Sequence, residues 1–285
     1  MVKLIFKFTL YFCLVFSGEN QKVLTINEPL GKIYSMKSDI DFSFGRIILE
    51  RGQEEMAVTG FLMYDTSIVA GKIQYITYGS MGILEVSTET EIDWPFGNDW
   101  NSDNVNQCEL YLSPKIAQKI TFDMGLGEAE IDLNGIQYNH FTLDCGLGEA
   151  SINFGEKQNA IKCENLNIDV GLGSVEIINL LNTNATEINF ECGLGELDLE
   201  FSGALTDDVT VEASIGLGSI DILLPRGINV TIGCDKSFLS SLDLKDFEKL
   251  EDGEYQSDDY DPKKPTLHFN IFIGAGSAEF RWKNK

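Results

Sequence analysis

From residue 117 onward, apolar and polar residues alternate in short runs that one glycine pair keeps interrupting. Ile120, Phe122 and Met124 precede the first pair, and Ala129, Ile131 and Leu133 follow it. The rhythm recurs in Leu166, Ile168 and Val170, and again in Val211, Ala213 and Ile215. It also resumes after later pairs, in Leu197, Leu199 and Phe201, in Ile220, Ile222 and Leu224, and in Ala278, Phe280 and Trp282. A period of two is the mark of a strand with one buried face. Each unit therefore predicts strand, corner, strand and a polar return such as "NGIQYN" or "LLNTNAT".

The corners are Gly125/Gly127, Gly146/Gly148, Gly171/Gly173, Gly193/Gly195, Gly216/Gly218 and Gly274/Gly276, in the pattern G-[LA]-G-[ES]. The first five are 21, 25, 22 and 23 residues apart, and the last follows a gap of 58. Regular spacing of about 22 predicts a stacked solenoid. Counting by twos from Met124 places Leu126 inward, yet the inward set restarts at Ala129. The phase slips at Gly127-Glu128, where glycine supplies the backbone a bend requires. Stacked units predict a single-stranded β-helix with layers about 4.8 Å apart. Its inward column is Met124, Cys145, Val170, Cys192 and Ile215. Cys145 and Cys192 stand two layers apart, too far for a disulfide, and read as small apolar residues.

A Gly-x-Gly phrase also suggests a dinucleotide site, which needs a third Gly or Ala and a following helix. Here that position holds Glu130, Ser151, Glu176, Asp198, Asp221 or Glu279, and a strand follows. Carboxylates there repel phosphate, so the nucleotide reading fails.

Charge narrows the partners. Against 45 acidic residues stand 21 basic ones, for a net charge of −24 in 285 residues. That excludes nucleic acid and leaves basic partners or divalent cations. The N-terminus, "MVKLIFKFTLYFCLVFSGEN", sets Lys3 and Lys7 before an apolar run to Phe16, then Ser17 and Gly18. Residues 1–18 are expected to be a secretory signal, placing the protein in the periplasm, on the cell surface or outside. Membrane contact is expected only if that segment is retained. Cys108, Cys145, Cys163, Cys192 and Cys234 then remain, an odd set with no CxxC, which predicts neither zinc nor a disulfide framework. Residues 19–115 are expected to form an N-terminal β region that caps the stack, and 116–285 its layers. A charged excursion at 236–264 would set Phe238, Leu242 and Phe247 on one side of a short helix or turn.

Candidate chemistry lies on the outward positions. Asp123, Asp144, Asp169 and Glu191 form a column that calcium could bridge, or a solvated acidic face that keeps the stack soluble. Glu128, Glu149, Ser174 and Glu196 form a second, interrupted one. In the turn-rich "EIDWPFGNDWNSDN", Trp94, Phe96 and Trp100 are placed either to bind a partner or to cap the solenoid. His140 and His268 lie in different repeats, and no catalytic set can be built on them.

The order of "FGRIILERG", "ELYLSPKIAQKITFDMGLGEAEIDLNGI", the glycine layers and "GEYQSDDYDPKKPTLHFNIFIGAGSAEF" resembles the toast-rack domain. It resembles the related β-helical family of candidate adhesins too, and is similar to the C-terminal region of cell-wall-active-antibiotic response proteins. The resemblance runs from Phe44 to Trp282. It implies a right-handed β-helix outside the cytoplasm, preceded by a small β region, with no catalytic residues and no cofactor. Some relatives regulate envelope-stress signalling from a membrane-anchored position, and this chain lacks their several membrane helices. The expected function is a non-catalytic envelope or surface module that binds an envelope protein or glycan. Envelope-stress sensing and polysaccharide cleavage by converging carboxylates are the alternatives.

Overall fold

The computed structural model describes residues 13–14, 20–90, 106–251 and 253–283. They form an all-β protein in which every strand joins one sheet. Seven long strands carry the repeat: β3 (Ser35–Arg51), β8 (Ala117–Asp132), β9 (Tyr138–Asn153), β10 (Asn165–Ile178), β11 (Glu187–Glu200), β12 (Val209–Leu224) and β17 (Thr266–Trp282). They pair in parallel and in that order, glycine over glycine: Gly45 with Gly127, then Gly148, Gly173, Gly195, Gly218 and Gly276.

A layer split into two strands closes each end. At one end β6 (Met81–Thr90) and β7 (Gln107–Leu112) pair with the two halves of β3. At the other, β13 (Asn229–Lys236) and β14 (Ser240–Leu244) pair with the two halves of β17. Antiparallel strands cover parts of the outer edges: β4 (Met56–Asp65) lies on β7, β5 (Val69–Tyr78) on β6, and β16 (Tyr255–Ser257) on β13. Pairing an edge in this way removes a template for aggregation. The short β1 (Cys13–Leu14) and β2 (Gln21–Pro29) extend the first end, and β15 (Phe247–Lys249) pairs with β16. Among the described residues the one helical turn, Leu180–Thr183, is 3-10, and no helix is long and apolar enough to cross a membrane.

Alternation does what its period predicts. Met124, Cys145, Val170, Cys192 and Ile215 are buried as one column, which Phe42 and Ile273 extend. All five cysteines named above are free thiols. Burial pushes Cys108 and Cys163 up to about 12 and Cys145 up to about 11, so each stays a neutral packing group.

Three expectations require correction. The ladder does not start at 116, because β3 is already a full layer, with Ser43 opposite the first glycine and Gly45 in the place of the second. The described residues of 236–264 hold turns and the strands β14, β15 and β16, and Phe238 does not share a side with Leu242 and Phe247: it is exposed with Leu239 at the corner between β13 and β14, while those two pack against the core. And the residue between the glycines does not face the core. Leu126 is half-buried, while Leu147, Leu172, Leu194 and Leu217 are 41–51% exposed. The buried phase runs from the residue before the first glycine to the second residue after the last, for example Val170 to Val175.

The corner demands glycine for two reasons. Gly173 has φ +152°, a value rare for other residues, and a Cβ there would lie 1.8 Å from the carbonyl oxygen of Gly148. At Gly171 a Cβ would lie 2.6 Å from the Gly146 carbonyl oxygen. Neither obstacle is a movable side chain. Gly173→Ala is expected to cost about 3 kcal/mol or more, read as a lowered urea midpoint. At Gly227 φ is also positive (+84°), but there is open space around it, and Gly227→Ala should cost only about 1 kcal/mol. Equal losses would refute the stacking explanation.

Candidate functional site: the corner columns

The register converts each repeat position into a straight column across the layers. Two positions before the first glycine stand Asp41, Asp123, Asp144, Asp169 and Glu191, one acid on each of five consecutive layers. All five are exposed, and no ion pair among the described residues engages any of them. Beyond them the column continues as Ser214, Phe272 and Asp235. Burial and then the carboxylates above and below, Asp41 and Asp144, push the Asp123 carboxyl above its ordinary value. Asp169 is raised the same way, by burial and then by Asp144 and Glu191.

The next outward column shows that such repulsion is not forced by the fold. Asn189 donates to Asn167 on the adjoining layer, and Asn167 donates to Asn165 two residues back on its own strand, each at 2.9 Å. His140 lies within 3.3 Å of Thr142 and 3.2 Å of Asn165 in the same network. An amide both donates and accepts between layers, and an acid of this column, Glu212, accepts from Asn270 at 2.7 Å, whereas carboxylates set beside one another accept only and repel. Across the corner a second acid column holds Glu130, Glu176, Asp198, Asp221 and Glu279, with Ser151 among them. Cations engage its ends: Arg46 pairs with Glu130, and Arg281 lies 3.5 Å from Glu279 and 3.9 Å from Asp221. The calcium candidates Asp123, Asp144, Asp169 and Glu191 thus lie together in one row. Among the described residues no three carboxylates, imidazoles or thiols converge as a metal-holding group. Calcium takes six to eight oxygens, more than neighbours in a single row supply.

Between the acid columns runs the apolar column that counting by twos misplaced. Leu126, Leu147, Leu172, Leu194 and Leu217 are stacked in register, followed by Ala275. Bare glycines border them on both sides, so the leucines stand as a ridge between two shallow troughs. Outside the troughs stand Asp144, Asp169 and Glu191 on one flank and Glu149 and Glu196 on the other.

Two clefts lie near the far end. One, of about 640 Å³, opens over the outer face between Glu191, Glu212, Asp235 and Phe272. The other, of about 650 Å³, gathers Arg226, Lys245, Arg281 and Lys283 around Trp282, a basic cluster that sequence reading missed. Its charges are spread through the chain and meet only through the register of β12, β14 and β17. Trp282 offers no free stacking platform: Phe247 stacks on its ring at 5.3 Å and the Arg226 guanidinium lies 5.7 Å from it. Its indole N–H donates to the Lys245 carbonyl at 3.0 Å. Arg226 pairs with Asp246, and Lys283 with Glu200. The loop with Trp94, Phe96 and Trp100 lies outside the described residues.

Comparison with known proteins adds a family. Residues 16–178 match the family model described as the N-terminal domain of toast_rack, DUF2154. Among solved structures, the chain is similar to a candidate cell adhesion protein from Clostridium sporogenes, at 19% identity and a TM-score of 0.45, over 92% of this chain and 99% of that one. It is also similar to a candidate lipid-binding protein from Parabacteroides distasonis, at 10% identity and a TM-score of 0.33, covering 92% and 97%. A candidate adhesin from the same species aligns at 9% identity and a TM-score of 0.28, covering 90% and 96%. At these identities and scores the likeness speaks to neither ligand nor role. No curated protein matches the chain.

The raised carboxyls set a pH dependence. A carboxyl whose folded value lies above its unfolded one binds more protons in the folded state. Its contribution to stability is therefore present at low pH and lost as pH rises through the folded value. Asp169→Asn should raise the melting temperature at pH 7 by about 1 °C, the scale of a screened surface charge. The gain should vanish near pH 3, below the ordinary carboxyl value of 3.8. Paired thermal melts of the two proteins check it; a gain that persists at pH 3 would show that charge is not the cause.

Proposed function

The chain belongs to the family of the toast-rack N-terminal domain, and from that premise we propose that it is an exported, non-catalytic binding module of the cell envelope, adhesin-like in use. The observation that carries the reading is the arrangement of outward carboxylates in straight rows on consecutive layers. A glycosidase-like centre needs two carboxyl groups facing a common space at a set separation. Rows at layer spacing instead present a repeated, flat surface suited to an extended partner, as solenoids commonly do. The parallel, in-register layers support a right-handed, single-stranded β-helix of about 22 residues per turn as the scaffold of that surface.

Charge cost supports the same reading. The column of Asp41 to Glu191 repels itself, although Asn167 and Asn189, on two of the same strands, show that a hydrogen-bonded pair fits between layers. Stability does not ask for acids there, whereas a basic partner protein or a cationic glycan would. The leading segment, with Lys3 and Lys7 ahead of its apolar run, supports export.

Two measurements test this. Produced with its own leader in a bacterial host, the protein should leave the cytoplasm and lose about 2 kDa by mass spectrometry. Recovery of the full chain from the cytoplasm would overturn export. The purified protein should sediment with an envelope fraction, and Asp144→Asn/Asp169→Asn/Glu191→Gln should retain less than about a third of that binding. Unchanged co-sedimentation would remove the acid column from the interface.

A further inference from the structure

We propose that the leucine ridge at the corners is a docking rail for a cationic amphipathic α-helix lying along the stack. This rests on the reading of the layers as a binding wall and names the partner that one line of it fits.

The ridge is unusual in being continuous. Single exposed leucines are ordinary on a protein surface, but Leu147, Leu172, Leu194 and Leu217 stand directly over one another, each 41–51% exposed. The core does not require them, because the buried phase passes from the residue before the first glycine to the fourth position after it. Phe238, 95% exposed, and Leu239 stand at the corner of the final layer and continue the apolar line past Ala275. The glycine troughs on either side leave room for the side chains of a partner to settle around each leucine.

Spacing selects the kind of partner. Layers repeat at about 4.8 Å. The apolar stripe of a helix, alternating three and four residues, repeats at about 5.3 Å. Across the four exposed leucines the two rows drift apart by only about 1.4 Å. An extended strand laid along the ridge repeats on one face at about 6.7 Å and drifts by about 5.7 Å, more than a whole layer. A helix keeps register with the ridge and a strand does not.

Charge selects its flanks. Asp144, Asp169 and Glu191 on one side and Glu149 and Glu196 on the other would meet the residues bordering the apolar stripe of the helix. Lysine or arginine there completes the contact. A second copy of this chain would set acid rows against acid rows, and an anionic bilayer would be repelled by both.

The test uses a fluorescein-labelled 18-residue peptide, with leucine at alternating three- and four-residue spacing and lysine elsewhere, titrated against the full chain in 0.1 M salt. Saturable binding in the micromolar range is expected, with a gain in peptide helicity by circular dichroism. Leu172→Ser/Leu194→Ser should weaken it about tenfold or more. A double Glu149→Gln/Glu196→Gln variant should weaken it and flatten its salt dependence. Both variants change exposed side chains, and melting temperatures within about 2 °C of the parent certify the fold. A peptide of the same composition with its stripe scrambled should bind about tenfold more weakly.

Several outcomes overturn the proposal: no saturation by about 100 μM, equal affinity of the serine variant, or equal affinity of the scrambled peptide. A dimer of this chain that the serine substitutions dissolve would assign the ridge to a second copy and overturn it as well. If the peptide fails while envelope co-sedimentation persists, the helix rail falls and the binding wall stands.

Discussion

At every corner a carbonyl oxygen of one layer occupies the space where the next layer would carry a Cβ. That single close approach, 1.7–1.9 Å from an ideal Cβ at each second glycine of the six repeats, lets hydrogen bonding continue around the bend instead of breaking there. A solenoid that interrupts its strands at each corner must satisfy backbone groups there by other means. This one carries its ladder through, so each layer is a single bent strand whose two arms stay in register with those above and below. The buried columns follow, and the outward rows follow with them, because a slip at one corner would displace every side chain beyond it.

The glycines also determine what the corner shows to solvent. With no side chain before or after it, the intervening leucine has nothing to pack against on its own layer. On the first layers the row is covered, since Phe44, its member on β3, is buried and Leu126 is half-buried against the core; in the middle it stands open. One constraint therefore produces both the rigidity of the stack and its most apolar exposed feature. Acid rows on either side would set like charge against like if that feature met its own copy.

Much of this was legible from residue order. Alternation placed Met124, Cys145, Val170, Cys192 and Ile215 inside, and even glycine spacing foretold layers. The resemblance to the toast-rack family holds. What escaped notice had physical reasons. Counting by twos assumes extended backbone, and a glycine near φ +150° resets the count without announcing where, so Leu172 seemed to point in and points out. Layer β3 hid because Ser43 replaces the first glycine and Arg46 the usual acid or serine. The basic cluster around Trp282 hid because Arg226, Lys245 and Lys283 are brought together by strand order, which a linear reading does not contain. Asp123, Asp144, Asp169 and Glu191 are exposed on successive layers, and the Asn167–Asn189 bond beside them supplies the contrast.

Strand order has a consequence for how the molecule comes into being. β17, which follows β13 and β14 in the sequence, is an interior layer: β12 lies on one face of its ladder and β13 with β14 on the other. Strands β13 and β14 emerge before it and have no native parallel neighbour until β17 joins them. A ribosome or a translocon delivering residues from the N-terminus can complete the layers up to β12 one after another. It must then hold some forty residues in waiting. Loss of Thr266–Trp282 would not shorten the stack by a layer; it would take out the keystone and leave two open edges facing each other. The far end of the rack is closed by a bar seated between two that precede it in the sequence.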